Sequence, residues 1–158
     1  MPNWCMNNLT ISHDDSTKLQ EFVDAYNNGK TCEHFLPVPS GYYDDQRWYN
    51  WCCNNWGTKW DFGKDEYHDP AEIVNHEVDI SFNTAWSPPV QFYEKLVELD
   101  YTVRASYWEP GMAYCGIWDN GFDNHVDYGG VENKQDIIPV ALWNEFGMDD
   151  FFEMVEEI

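Results

Sequence analysis

Two tryptophans bracket a Gly-Thr-Lys step in the stretch NNWGTKWD, Asn54 to Asp61. Asn55, Trp56, Thr58, Lys59, Trp60 and Asp61 put amide, hydroxyl, ammonium and carboxylate groups beside two large rings. Asn3 and Asn7, Thr84 and Trp86 in FNTAWSPP, and Tyr107 and Glu109 in YWEPG supply further groups of the same kinds. Drawn together by a fold, these residues form a Trp-lined pocket with a few placed polar groups, the usual make-up of a small-ligand site. In the plainer alternative the tryptophans glue a loop onto a sheet, Gly57 makes the turn and Lys59 pairs with Asp61 or Glu109. For NNWGTKWD itself the plainer reading is the stronger.

Signals for catalysis are thin. His13, His34, His68, His76 and His125 show no metal-binding spacing, and neither a GxSxG word nor a phosphate loop is present. Cys52 and Cys53 beside Trp51 lack an identifiable base, and a zinc set of Cys52, Cys53, His68 and His76 has no recognised spacing. No catalytic residue, metal site or cofactor is assigned, and a non-enzymatic role is expected. The five cysteines, an odd count with no CxxC, are expected to be reduced thiols in a cytoplasmic protein.

A second constellation is acidic. Asp119, Asp123, Asp127, Glu132, Asp136, Glu145, Asp149, Asp150, Glu153, Glu156 and Glu157 are opposed after Arg104 by Lys134 alone. The chain carries 29 acidic residues against 8 basic ones, a formal net charge of −21. A field of that sign repels polyanions and attracts basic surfaces, so DNA, RNA and anionic membrane are not expected as direct partners. Arg104 with Lys59 cannot make the positive groove that base-stacking modules need. A rigid array of carboxylates can instead imitate duplex phosphates and occupy the basic cleft of a nucleic-acid-handling or defence protein. The bland reading of the same residues is a solvated surface.

The elements that must position these groups follow from periodicity. In WCMNNLTIS, Cys5, Asn7, Leu9 and Ile11 alternate with Trp4, Met6, Asn8, Thr10 and Ser12, which predicts a strand. Asp15 or Ser16 can cap a following helix with Leu19, Phe22, Val23 and Tyr26 on one stripe and a stop at Asn28-Gly29. Residues 30–75 hold Pro37, Pro39, Gly41 and dense aromatics without sustained period, and read as an insertion that packs on the domain. Val78, Ile80 and Phe82 mark a second strand. A second helix is predicted with Ser87 as N-cap, Pro88 at its first position and Phe92, Tyr93, Leu96 and Val97 as its core stripe. Two strands turning at Glu109-Pro110-Gly111 come next, and 122–158 reads as an acidic helical tail.

The chain of 158 residues, with nine Trp, ten Tyr and nine Phe, is expected to be one α+β domain. The order β-α-β-α-β-β points to a ferredoxin-like split β-α-β antiparallel sheet with both helices on one face. The other face is left for the insertion or the tail to cover.

In order along the chain, MPNWCMNNLTI, LPVP at Leu36 to Pro39, NNWGTKWD, FNTAWSPP and YWEPGMAYCG resemble the YubB ferredoxin-like family of phage and plasmid proteins. The resemblance covers most of the first 120 residues, implies the same fold and a mobile-element origin, and carries no assigned reaction. It strengthens the expectation of an inhibitor that binds a host protein with a basic surface.

Overall fold

Strand β1 (Trp4–Ser12) turns one face to the core because its sequence alternates: Cys5, Asn7, Leu9 and Ile11 are buried, while the residues between them are half-buried or exposed. The computed structural model describes residues 3–156. β1 pairs antiparallel with β2 (Glu77–Ala85) on one side and β3 (Thr102–Glu109) on the other. A meander of β4 (Tyr114–Asp119) and β5 (Phe122–Asp127) extends the sheet, in the order β2-β1-β3-β4-β5 with every pairing antiparallel. β2 and β3, both antiparallel to β1, are thus parallel to each other and flank it. The fold is α+β.

Helix α1 (Ser16–Asn27) begins as expected, with the Asp15 carboxylate accepting from Thr17 N at 2.9 Å. Gly29, at φ +76°, leaves the helix in the left-handed region. Its apolar stripe joins that of α4 (Val90–Glu98) over Leu9, Ile11, Val78, Ile80, Phe82, Val103 and Trp118. Helix α4 starts after Pro89, later than the sequence predicts. Ser87 is not its cap: the hydroxyl donates to Gly57 O at 2.6 Å and ties the insertion to the end of β2.

The insertion is not shapeless. It contains α2 (Thr31–Phe35) and α3 (Trp48–Asn55), both too short to show a period in sequence. Cys32, Cys52, Trp56 and Phe62 carry it into the same core as α1 and α4, and Phe62 stacks on Phe82 with centroids 3.9 Å apart.

A further correction falls in the tail. Residues 122–127, read as its start, form β5, so the sequence reading missed the fifth strand. The remainder turns through Lys134–Asp136 into α5 (Val140–Glu145) and α6 (Met148–Glu156), which cover the sheet's second face. Leu142, Met148, Ile138 and Tyr128 bury Trp108 and Cys115 there, so helices lie on both faces of the sheet and the tail, not the insertion, covers the second.

Candidate functional site

NNWGTKWD divides its labour residue by residue. Trp56 is buried and donates through Nε1 to Leu36 O at 2.8 Å, and Asn55 donates to Trp51 O within α3. Gly57, at φ +86°, turns the chain so that Thr58 is buried and donates to Ala85 O. The Asp61 carboxylate reaches back to the start of α2, accepting from Cys32 N at 2.6 Å, Glu33 N at 2.9 Å and Phe62 N at 2.8 Å. Burial raises the Asp61 pKa and those three N–H donors oppose the rise. Trp56 in the core and Gly57 at the turn do what the plainer reading assigns them, while Trp60 and Trp86 stay exposed; Thr58 ties the loop to β2 and Asp61 ties it to α2.

Lys59 departs from that reading. It pairs with neither Asp61 nor Glu109. Its Nζ lies 4.3 Å from the Trp60 ring centroid, 4.8 Å from Trp86 and 5.7 Å from Tyr49, all within cation–π range. Trp4 stands against Trp60 at 6.1 Å. Trp4, Tyr49, Trp60 and Trp86 are each between 38% and 45% exposed, so the cluster opens outward. Trp86 takes φ +68°, a costly backbone for a bulky residue, and two bonds hold it: its N–H donates to Asn3 O at 2.8 Å and its carbonyl accepts from Tyr114 OH.

The other pocket candidates lie inside the sheet layer. Asn7 is buried and donates to Thr84 Oγ1 at 2.9 Å and Cys5 O at 3.0 Å, and Thr84 passes its own proton to Ser87 O. Glu109 is fully buried, with Oε1 accepting from Gly111 N at 2.7 Å and Oε2 without a partner. Burial, then the Glu109 charge, pushes the neighbouring Cys5 thiol up to about 12, which keeps it protonated at neutral pH. Tyr107 is buried, donates to Asp123 at 2.7 Å and lies 3.0 Å from His125 Nδ1.

No single pocket gathers the twelve sequence candidates. Trp60, Asp61 and Thr84 line a groove of about 660 Å³ between the end of β2 and residues 60–68, with Trp4, Phe62 and Phe82. Tyr107 lines a separate hollow of about 340 Å³ with Tyr114, Gln91 and His125. Neither hollow is lined by Lys59 or Glu109. Among the described residues no three His, Cys, Asp or Glu side chains gather as a metal site, and no helix is long and apolar enough to cross a membrane.

The acidic residues also sort themselves. Glu132, Asp136, Asp149 and Glu153 line one groove of about 280 Å³ between the turn at Lys134–Asp136, α5 and α6. Lys134, the one cation among its lining residues, donates through Nζ to Val131 O at 3.1 Å and lies over the ring of Phe152, which lines the same groove. Some of these carboxylates have internal duties. Glu145 accepts from Ser106 at 2.9 Å and Asn8 at 3.1 Å, docking α5 on the sheet, and Asp149 accepts from Trp143 Nε1 at 2.7 Å. Asp127 accepts from Gly129 N, Asp123 from Tyr107, and Asp119 stands exposed where β4 ends. Asp150 is exposed on α6 beside the groove, Glu157 lies outside the described residues, and so does the side chain of Glu156. Sequence reasoning missed Trp4 and Tyr49 as members of the aromatic cluster; their pairing with Trp60 and Trp86 is non-local, and only their outward placement on polar stretches could have flagged them.

No protein-family model matches the chain, and no curated protein or solved structure matches it.

Proposed function

We propose that the protein is a non-enzymatic binder of a basic macromolecular partner, engaged through the carboxylate groove of the tail. The observation that carries this is the meeting of Glu132, Asp136, Asp149 and Glu153 on one groove, where four carboxylates face the single cation Lys134, whose Nζ is bonded to Val131 O rather than to any of them. Across the described residues only Lys18–Glu21 and Arg47–Asp45 join a Lys or Arg to a carboxylate, which leaves the acidic surface uncompensated. Such a surface steers a cationic partner and releases its counterions on contact. A nucleic-acid-handling or defence protein of the host, whose cleft is built for phosphates, is the partner this chemistry suits, with the groove acting as a duplex mimic. The resemblance of the sequence words to the phage and plasmid family supports that choice. On the same reading the fold is a ferredoxin-like variant, supported by β2 and β3 lying parallel on either side of β1 with α4 between them in sequence.

An oligolysine peptide titrated at low and physiological salt tests the groove. The joint variant Glu132→Gln, Asp136→Asn, Asp150→Asn, Glu153→Gln leaves Glu145 and Asp149 to hold the tail. A control neutralises the exposed Asp44, Glu66, Glu94 and Glu98, the same change in charge elsewhere. The groove variant is expected to bind about tenfold more weakly than the control. Equal binding by the two variants contradicts the groove.

A second reading, a small polar ligand in the 660 Å³ groove beside β2, is favoured by the exposed Trp4 and Trp60 among its lining residues. It predicts a metabolite retained on the purified protein, lost in Trp60→Ala and indifferent to the tail carboxylates.

A further inference from the structure

The cluster around Lys59 shares no residue with the carboxylate groove. In a chain with 29 carboxylates the Lys59 ammonium is held by three rings and, among the described residues, by no ion pair. The occupant defines the chemistry of the place: a cation over indole and phenol faces. The rings are not needed to close the core, since Trp56 fills that role and Trp4, Tyr49, Trp60 and Trp86 stay more than a third exposed. Trp86 is also held in a left-handed backbone by two hydrogen bonds, the kind of retained strain that marks a positioned side chain.

We propose that Tyr49, Trp60 and Trp86, flanked by Trp4, form a receptacle for an arginine or lysine side chain of the basic partner, and that Lys59 is its resident occupant when the partner is absent. This rests on the reading that the partner is basic; the charge of −21 and the ammonium already seated between the rings make the two surfaces complementary. An occupant in cis lowers the apparent affinity for any incoming cation by the fraction of time the receptacle is filled. Lys59 swings aside on its flexible stem, and a planar guanidinium stacks on the indoles in its place.

The test is titration of the intact protein with N-acetylarginine amide, read by the indole resonances of Trp60 and Trp86, with the neutral citrulline analogue as a blank. Lys59→Ala is expected to bind the arginine probe about three- to tenfold more tightly than the native protein. Lys30→Ala, which removes the same charge at an exposed site away from the rings, is expected to bind like the native protein. Trp60→Ala on the Lys59→Ala background is expected to abolish the gain. If Lys59→Ala and Lys30→Ala behave alike, or the arginine and citrulline probes shift the indoles equally, the receptacle is wrong. Oligolysine binding separates the two ideas. Loss of the gain with groove-dependent oligolysine binding intact overturns the receptacle alone, whereas groove-independent binding with the gain present overturns the tail reading and leaves the receptacle standing.

Discussion

Asp61 shows how one side chain can hold a whole segment. Three backbone N–H groups converge on its carboxylate, two of them at the start of α2, a helix of five residues that has too few internal bonds to stand alone. Asp61→Ala is expected to cost about 1–2 kcal/mol, read as a lowered midpoint in urea unfolding. The pH dependence has a definite sign. Because burial raises the folded pKa above 3.8, the folded state holds this proton more tightly than the unfolded chain. That contribution is fully present below 3.8 and is lost as pH rises through the raised value, so Asp61→Asn should flatten the stability profile above 3.8. A steeper profile in the variant contradicts the assignment. Asp15 is the reverse case: Thr17 lowers its pKa, so its contribution persists above 3.8 and fades as pH falls through the lowered value.

At the scale of elements, the insertion is fastened where backbone meets backbone. A Cβ on Gly63 would lie 2.4 Å from Gly29 Cα and 2.8 Å from Tyr26 O, at the turn that ends α1. Gly63→Ala is expected to cost about 1–3 kcal/mol in chemical denaturation, since backbone cannot step aside as a side chain can. Stability equal to the native protein would mean that the insertion is not docked there. The same contrast between local and distant causes explains what could be read in advance. β1, β2 and α1 announce themselves because their burial follows their own period, and the Leu19, Phe22, Val23 and Tyr26 stripe is buried as spaced. α2 depends on a carboxylate roughly thirty residues along the chain, which no window of sequence contains. β5 is mostly exposed on both faces and reads FDNHVD, so it carries no alternating apolar signal and is specified by its pairing with β4. Lys59 was legible as a functional type but not as a cage occupant, since its rings come from α3, the NNWGTKWD loop and the end of β2.

For the molecule as a whole the excess of carboxylates is a cost to folding, and in the function proposed here it is also the means of recognition. With few ion pairs to offset it, like-charge repulsion destabilises the compact state, and salt screens it over about 10 Å at 0.1 M. The Tm is expected to rise by a few degrees between low ionic strength and about 0.5 M NaCl. A Tm that is flat or falls with salt contradicts the picture of an uncompensated surface. The tail takes part in both roles: its apolar side seals Trp108 and Cys115 on the sheet, and its polar side presents Asp136, Asp150 and Glu153. The packing is what makes the array rigid, and a rigid array is what a phosphate-binding cleft can accept.

In the function proposed here the tail groove, and not acidity in general, recognises a basic partner. This is tested by a matched capture from cell lysate with the native protein, the groove variant and the variant neutralised at Asp44, Glu66, Glu94 and Glu98, each washed with rising salt. A basic nucleic-acid-handling or defence protein is expected to be held by the native protein and the second variant, to elute as salt rises, and to be missing from the groove variant. Capture of the same basic protein by all three would contradict it.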